Sequence, residues 1–596
     1  MKFLIKIGLL FVVVLPVTKV TAQTNDTLTA VNEEYKNILF NDSQFLDVLF
    51  YKHYNNMQLN NLGPYGSSHY FATNYLNDNQ STVFAPTELK NRLLSLNGFR
   101  PFTNITWINA GRREQILSVN HIQKFGKLAD LSISYKRISS PGIYVNQEVN
   151  NNDLKSAFSF KTENNLYSAK LYFDMLRINN QENGGLNNTK DFYKDSIDRR
   201  ELYKVNVNGS YYQERTLAFG LKQRLNLFSV YTDSLVSKRF FVGIENQVSS
   251  KRREYFDFDS NAKNYDTTYF DTTFTQWKDS THLNTFFNKV SFGVTTTNLE
   301  LEPYVSFQNY KYHQYLGVDS SFSSSYVGAL FNYKKNRVKL MADINFGING
   351  YNQQDVNGNI HFTYLNNDKY VFNLMVDHKL NEAEVYYKTF RSNHFKWDNY
   401  QFEKQQITFI GSEFYINAVD VKLTANAKLY NNFIYFDTLA LPAQQNKNET
   451  TSTFMAEKGY KFKNVHFKTA LIYQLTSDRY ILPMPTYAGR QIVYYENRIF
   501  KKAMKIRVGF NLTYSSKFYG YEFMPSISQF YAQNKTKIGD YPFVDFFVST
   551  HLKRAQIFFK WEHLNAGFNN YTYLTTPTTP FLDRSFKFGV SWNMFD

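Results

Sequence analysis

From Ser585 to Phe595 apolar and polar side chains alternate without a break. Phe586, Phe588, Val590, Trp592 and Met594 fall on one side of an extended chain, and Lys587, Gly589, Ser591 and Asn593 on the other. A period of two is what a pleated strand imposes on its side chains, and the chain repeats it many times. Leu340, Ala342, Ile344, Phe346 and Ile348 alternate with Met341, Asp343, Asn345 and Gly347; Ile506, Val508, Phe510, Leu512 and Tyr514 alternate with Arg507, Gly509, Asn511 and Thr513. Val421 to Tyr430 does the same, with Lys422, Thr424, Asn426 and Lys428 on its polar side. A soluble β-sandwich could carry such strands too, so other features must decide which solvent meets the oily side.

Residues 1–22 supply the first. They carry Lys2 and Lys6, an apolar core from Ile7 to Leu15, Pro16, and Val20 and Ala22 ahead of a cut between Ala22 and Gln23. This is the pattern of a secretory signal peptide, and its core is well short of the ~20 residues that a spanning helix needs. The mature chain is expected outside the cytoplasm, and beyond the leader no apolar run is long enough to cross a bilayer as a helix. There is no cysteine, hence neither a disulfide framework nor a lipid-bearing thiol.

Aromatic residues make up 18% of the chain, yet the mean hydropathy is only -0.46. Transmembrane barrels combine these two properties, because aromatic girdles sit at both membrane interfaces while lumen-facing positions stay polar. The expected fold is therefore all-β: a transmembrane antiparallel up-and-down β-barrel. Charged strand residues cannot face lipid cheaply, since Lys or Arg at the bilayer midplane costs about 2–4 kcal/mol. Lys422, Lys428, Arg507, Lys560 and Lys587 are accordingly candidate lumen-lining residues. The formal charge of +16 is spread in short runs such as Lys251-Arg252-Arg253 and Lys501-Lys502, unlike the concentrated basic face of a nucleic-acid-binding protein.

The connections come in two sizes. Short ones include Phe125-Gly126-Lys127, Lys335-Asn336-Arg337, Lys461 to Asn464, Lys501 to Ala503 and Lys553-Arg554; long polar ones include Asn179 to Arg200, Lys251 to Thr281, Asp437 to Thr450, Ser477 to Arg490 and Asn565 to Asp583. Barrels of the outer membrane have short periplasmic turns and longer outer loops, which assigns the first set to the periplasm and the second to the cell surface. About 20–24 strands, an even number, are expected. The chain divides into a signal peptide (1–22), an N-terminal periplasmic or lumen-plugging segment (23–98) and a barrel (99–596).

The eleven histidines are scattered singly, without the paired spacing of a metal site. No nucleophile elbow, phosphate loop or CxxC pair occurs, so neither an enzyme nor a cofactor is expected.

Three stretches resemble the large outer-membrane proteins of Gram-negative bacteria called putative porins. The first is Asn61-Leu62-Gly63-Pro64-Tyr65-Gly66-Ser67-Ser68; the second is Pro101-Phe102-Thr103 running into Gly111-Arg112-Arg113-Glu114-Gln115, with Gly142 and Tyr144 beyond. The third runs from Tyr541-Pro542-Phe543-Val544-Asp545 through Lys553 to Asn565 and on to the closing strand. The resemblance implies an integral barrel of the cell outer membrane acting as a passive pore, and it carries no catalytic or ligand residue. Many barrels end on an aromatic residue, whereas here Phe595 is followed by Asp596.

The expected function is a porin-like channel for passive diffusion of small solutes or ions, favouring anions if the five cations line the lumen. Its partners would be outer-membrane lipid, the solutes, and the barrel-insertion machinery during biogenesis. The alternative is a structural or scaffold barrel within an outer-membrane secretion or assembly complex. A TonB-dependent transporter is disfavoured, because 23–98 is short for a plug and holds no convincing energy-coupling box.

Overall fold

The computed structural model describes residues 101–595 apart from 233–234, 259–264, 266–276, 367–368 and 569–570. The leader, its cleavage position at Ala22 and Gln23, the 23–98 segment and Asp596 lie outside the described residues.

The alternating segments form a single 22-stranded sheet in which each strand pairs antiparallel with the next. The last strand, Ser585–Phe595, pairs with the first, Phe102–Ala110, from Phe102↔Phe595 to Ala110↔Lys587. The ring is thereby closed and has no free edge, the condition under which a sheet can stand in lipid. At usual strand spacing and tilt, such a ring is about 40 Å across.

All five short connections named above fall at the end of the ring that holds Phe102 and Phe595, where the turns have two to five residues. The long ones lie at the opposite end, at 183–209, 258–276, 382–404, 432–448, 477–486, 516–542 and 563–584. Four of the five long connections expected from sequence overrun a flanking strand. The strand through Asn179 runs on to Glu182. Strands Leu235–Asp257 and Trp277–Thr296 extend into the expected 251–281 loop, because Lys251-Arg252-Arg253 still alternates: Arg253 turns inward and is buried while Arg252 stays exposed.

Leu235–Asp257 is 23 residues long. Extended, that is about 75 Å, far more than the apolar band of about 25 Å typical of membrane barrels. Its outward face changes character along its length. Ile244 and Val248 are exposed, whereas further on Glu254 is held by Arg252 at 2.9 Å and by Lys278 at 2.7 Å.

Apolar residues face outward as the alternation requires: Phe510, Leu512, Phe559, Phe586 and Trp592 are all exposed. The inner wall is less polar than expected, since Tyr172, Phe241, Tyr304 and Phe558 are buried there. Each lies directly across from a glycine on the next strand, at Gly220, Gly293, Gly328 and Gly589 respectively. A Cβ at Gly220 would stand 2.1 Å from the Tyr172 ring, and one at Gly293 would stand 2.1 Å from Phe241. The missing side chain lets the ring lie flat on the wall, covering backbone that glycine alone would leave bare.

Candidate functional site: the lumen wall and the loop-end mouth

Four of the five predicted lumen cations sit beside carboxylates presented by the same strand, the next one or, for Glu114 and Lys587, the next but one. Lys587 lies 2.6 Å from Glu114 and 2.7 Å from Glu562; Lys560 lies 3.0 Å from Glu562 and 3.4 Å from Asp545. Asn511 continues this ladder, donating to Asp545 at 3.1 Å and accepting from Arg490 Nε at 2.8 Å. Arg507 pairs with Glu496 at 2.6 Å, and Lys422 with Glu413 at 2.9 Å. Lys428 is buried on the same face as Lys422, opposite Phe409.

The ladder joins the strand of Asp545 to that of Glu114 across the seam where the ring closes. Buried charges of this kind survive because each ammonium is surrounded by carboxylates that offset part of its lost hydration. The expected positive lumen is therefore balanced at these four positions. Sequence reasoning selected the cations and missed their counter-charges, although Lys560 and Glu562, two apart on one strand face, were a legible hint.

Above this wall the long loops pack into apolar cores, of which two are the largest. One holds Tyr386, Phe390 and Trp397 from 382–404, Phe436 from 432–448, Ile527 from 516–542 and Tyr265 from 258–276. These loops leave the ring between its 7th and 8th, 13th and 14th, 15th and 16th, and 19th and 20th strands. The 7th and 19th are about half a circumference apart, so the shared core lies over the barrel axis.

Loop 516–542 is the crosspiece. Tyr386 Oη donates to Ile527 O at 3.1 Å, Ala532 N to Phe436 O at 2.8 Å, and Tyr521 Oη to Ile481 O. On its other side Glu522 accepts from Thr576 at 2.9 Å and Thr578 at 3.1 Å. Burial pushes the Glu522 carboxyl up to about 7, against the lowering effect of these hydrogen bonds and of the Phe523 N–H.

The second core includes Phe192, Tyr203, Phe518, Tyr541 and Tyr573. Arg200 is wedged there among the Phe192, Tyr203 and Tyr571 rings and pairs with Asp583 at 2.8 Å and Asp195 at 3.0 Å. This arrangement can restrict passage by size and holds its own charges in place. Among the described residues no group of His, Asp or Glu could bind a metal ion.

Residues 19–596 match the family described as "Putative porin". Among solved structures, the chain is similar to the FrpB iron transporter of Neisseria meningitidis in its apoprotein form (TM-score 0.54, 9% identity), over 83% of this chain and 81% of that one. It is similar also to the siderophore receptor PiuA of Acinetobacter baumannii (TM-score 0.53, 11% identity, 83% and 82% covered). A third is the copper transporter OprC (TM-score 0.57, 10% identity, 83% and 80% covered). At such identities the likeness concerns the fold. No curated protein matches the chain.

Proposed function

Since the chain belongs to the putative porin family, we propose that it is an outer-membrane channel that passes small solutes or ions and is gated at its outer face by its packed loops. The outward apolar band stands in lipid, the short turns face the periplasm and the long loops face the cell surface. The observation that carries the reading is the apolar core assembled from loops on opposite sides of the ring, which leaves entry to solutes small enough to pass between or displace them. Wide rings of this strand number enclose a plugged lumen in other outer-membrane transporters, and residues 23–98 are the segment proposed to occupy it. With Lys422, Arg507, Lys560 and Lys587 each beside a carboxylate, selection rests on size more than on charge.

Full-length protein in planar bilayers is expected to give small stepwise conductances, with a reversal potential near zero under a salt gradient. Loosening the mouth by Ile527→Ser should enlarge the steps. Sealed membranes after repeated insertion of both forms would remove the channel reading. A second reading, a scaffold subunit, is favoured by the exposed Leu202, Tyr400, Leu439 and Phe568 on the outer loops. It requires a stable heteromer after gentle extraction. The solved neighbours are named as transporters and receptors for iron, siderophores and copper, so uptake that collapses without the proton-motive force would instead indicate active transport.

A further inference from the structure

Six cations at the turn end of the barrel are in a different state from those of the lumen ladder and from Arg200. Lys335, Arg337, Lys461, Lys463, Lys501 and Lys502 are all exposed. None of the six forms an ion pair among the described residues. They belong to three separate hairpins on one rim, after the strands Val318–Lys335, Glu449–Phe462 and Tyr487–Ile499. Exposed aromatics stand among them, with Tyr460 54%, Phe462 57% and Phe500 73% accessible, and the Lys463 ammonium lies 5.6 Å from the Phe462 ring centroid.

The backbone adds an independent argument. Phe500, Lys501 and Lys502 are left-handed in succession, at φ 51, 53 and 70, and Lys463 is left-handed at φ 51. Tight turns fill such positions with Gly, Asn or Asp, which adopt them with least strain. Here the chain spends conformational energy to present lysines and a phenyl ring at the rim.

We infer that this rim docks the anionic phospholipid headgroups of the leaflet it faces. The inference rests on the outer-membrane reading above. Rings at the edge of an apolar band settle at headgroup level, and long cationic side chains beside them reach the phosphates while their stems stay against hydrocarbon. The unpaired charge is complementary to acidic lipid, and each basic residue adds to the attraction until salt screens it.

The test uses the full chain reconstituted in vesicles of phosphatidylcholine alone and of phosphatidylcholine mixed with phosphatidylglycerol, with the lipids that stay bound after gentle extraction quantified by mass spectrometry. Phosphatidylglycerol should be enriched over the bulk mixture by about threefold or more, less so at high salt. The six-site variant K335Q/R337Q/K461Q/K463Q/K501Q/K502Q should lose that enrichment, and the version with arginine at the five lysines should keep it. Heat-modifiable gel mobility confirms that each variant is folded. Equal partition in the native protein, or enrichment that survives the six neutral substitutions, overturns the inference. So would a variant whose lipid is unchanged but whose 23–98 segment becomes protease-sensitive in phosphatidylcholine, because the rim's partner would then be the chain itself. Failure to insert into either vesicle defeats the outer-membrane reading, whereas insertion without lipid preference defeats the lipid inference alone.

Discussion

At the loop end, Arg200 lies among three aromatic rings with two carboxylates on its guanidinium; at the turn end, Lys501 and Lys502 stand in solvent with no ion pair among the described residues. The difference follows from chain length between strands. A connection of more than twenty residues can fold back and bring a carboxylate to a cation, as Asp583 is brought to Arg200. A connection of two to four residues has no such reach, and Lys501 and Lys502 form no ion pair among the described residues. Arg200 therefore holds its electrostatic energy inside the chain, whereas Lys501 and Lys502 leave theirs available.

The comparison breaks most severely where a buried cation is removed. Lys587→Met strips Glu114 and Glu562 of a counter-charge inside the wall and should cost about 3–5 kcal/mol, read as loss of the heat-resistant folded band on gels. Next is the wall glycine: Gly293→Leu drives a side chain into the Phe241 ring and should destabilise by about 1–3 kcal/mol, measured as a lowered unfolding midpoint in denaturant. Gly293→Leu paired with Phe241→Ala should recover part of that loss if the ring contact is the cause.

Glu522 offers a milder test with a defined pH shape. Its folded pKa, about 7, lies above the ordinary 4.5, so the folded mouth favours the protonated acid. The stabilisation is complete below pH 4.5 and is lost as pH rises through 7. Protease nicking of loop 516–542 should increase between pH 5 and 8 in the native protein and stay flat in Glu522→Gln. A pH-independent native profile would show that the Glu522 contacts do not govern the crosspiece. The smallest effect is expected at the rim, where Lys335→Gln alone should shift stability by no more than about 0.5 kcal/mol. A rim substitution as costly as Lys587→Met would erase the distinction between the two ends.

Much of the barrel was legible because its signal is local. Phe586 to Met594 announce an outward face and Lys587 to Asn593 an inward one without reference to any other strand, and the longest connections marked one of the two ends. The aromatics of the inner wall were not legible in the same way. Phe241 reads as one more oily residue until the register places Gly293 opposite it. Likewise Glu114 carries no mark of its service to Lys587, 473 residues away, and Ile527 gives no sign that it will meet Tyr386 over the axis.

What the amino-acid order determined by itself is the face each strand residue takes and the end at which the longest connections lie, since these follow from a two-residue period and from loop length; the three-residue connections at 111–113 and 315–317 share the loop end without that mark. Only the tertiary structure decided which charges cancel, which rings cover which glycines and how the mouth is crossed. These depend on strand register and on ring closure between residues 102 and 595, and no stretch of neighbouring residues contains either.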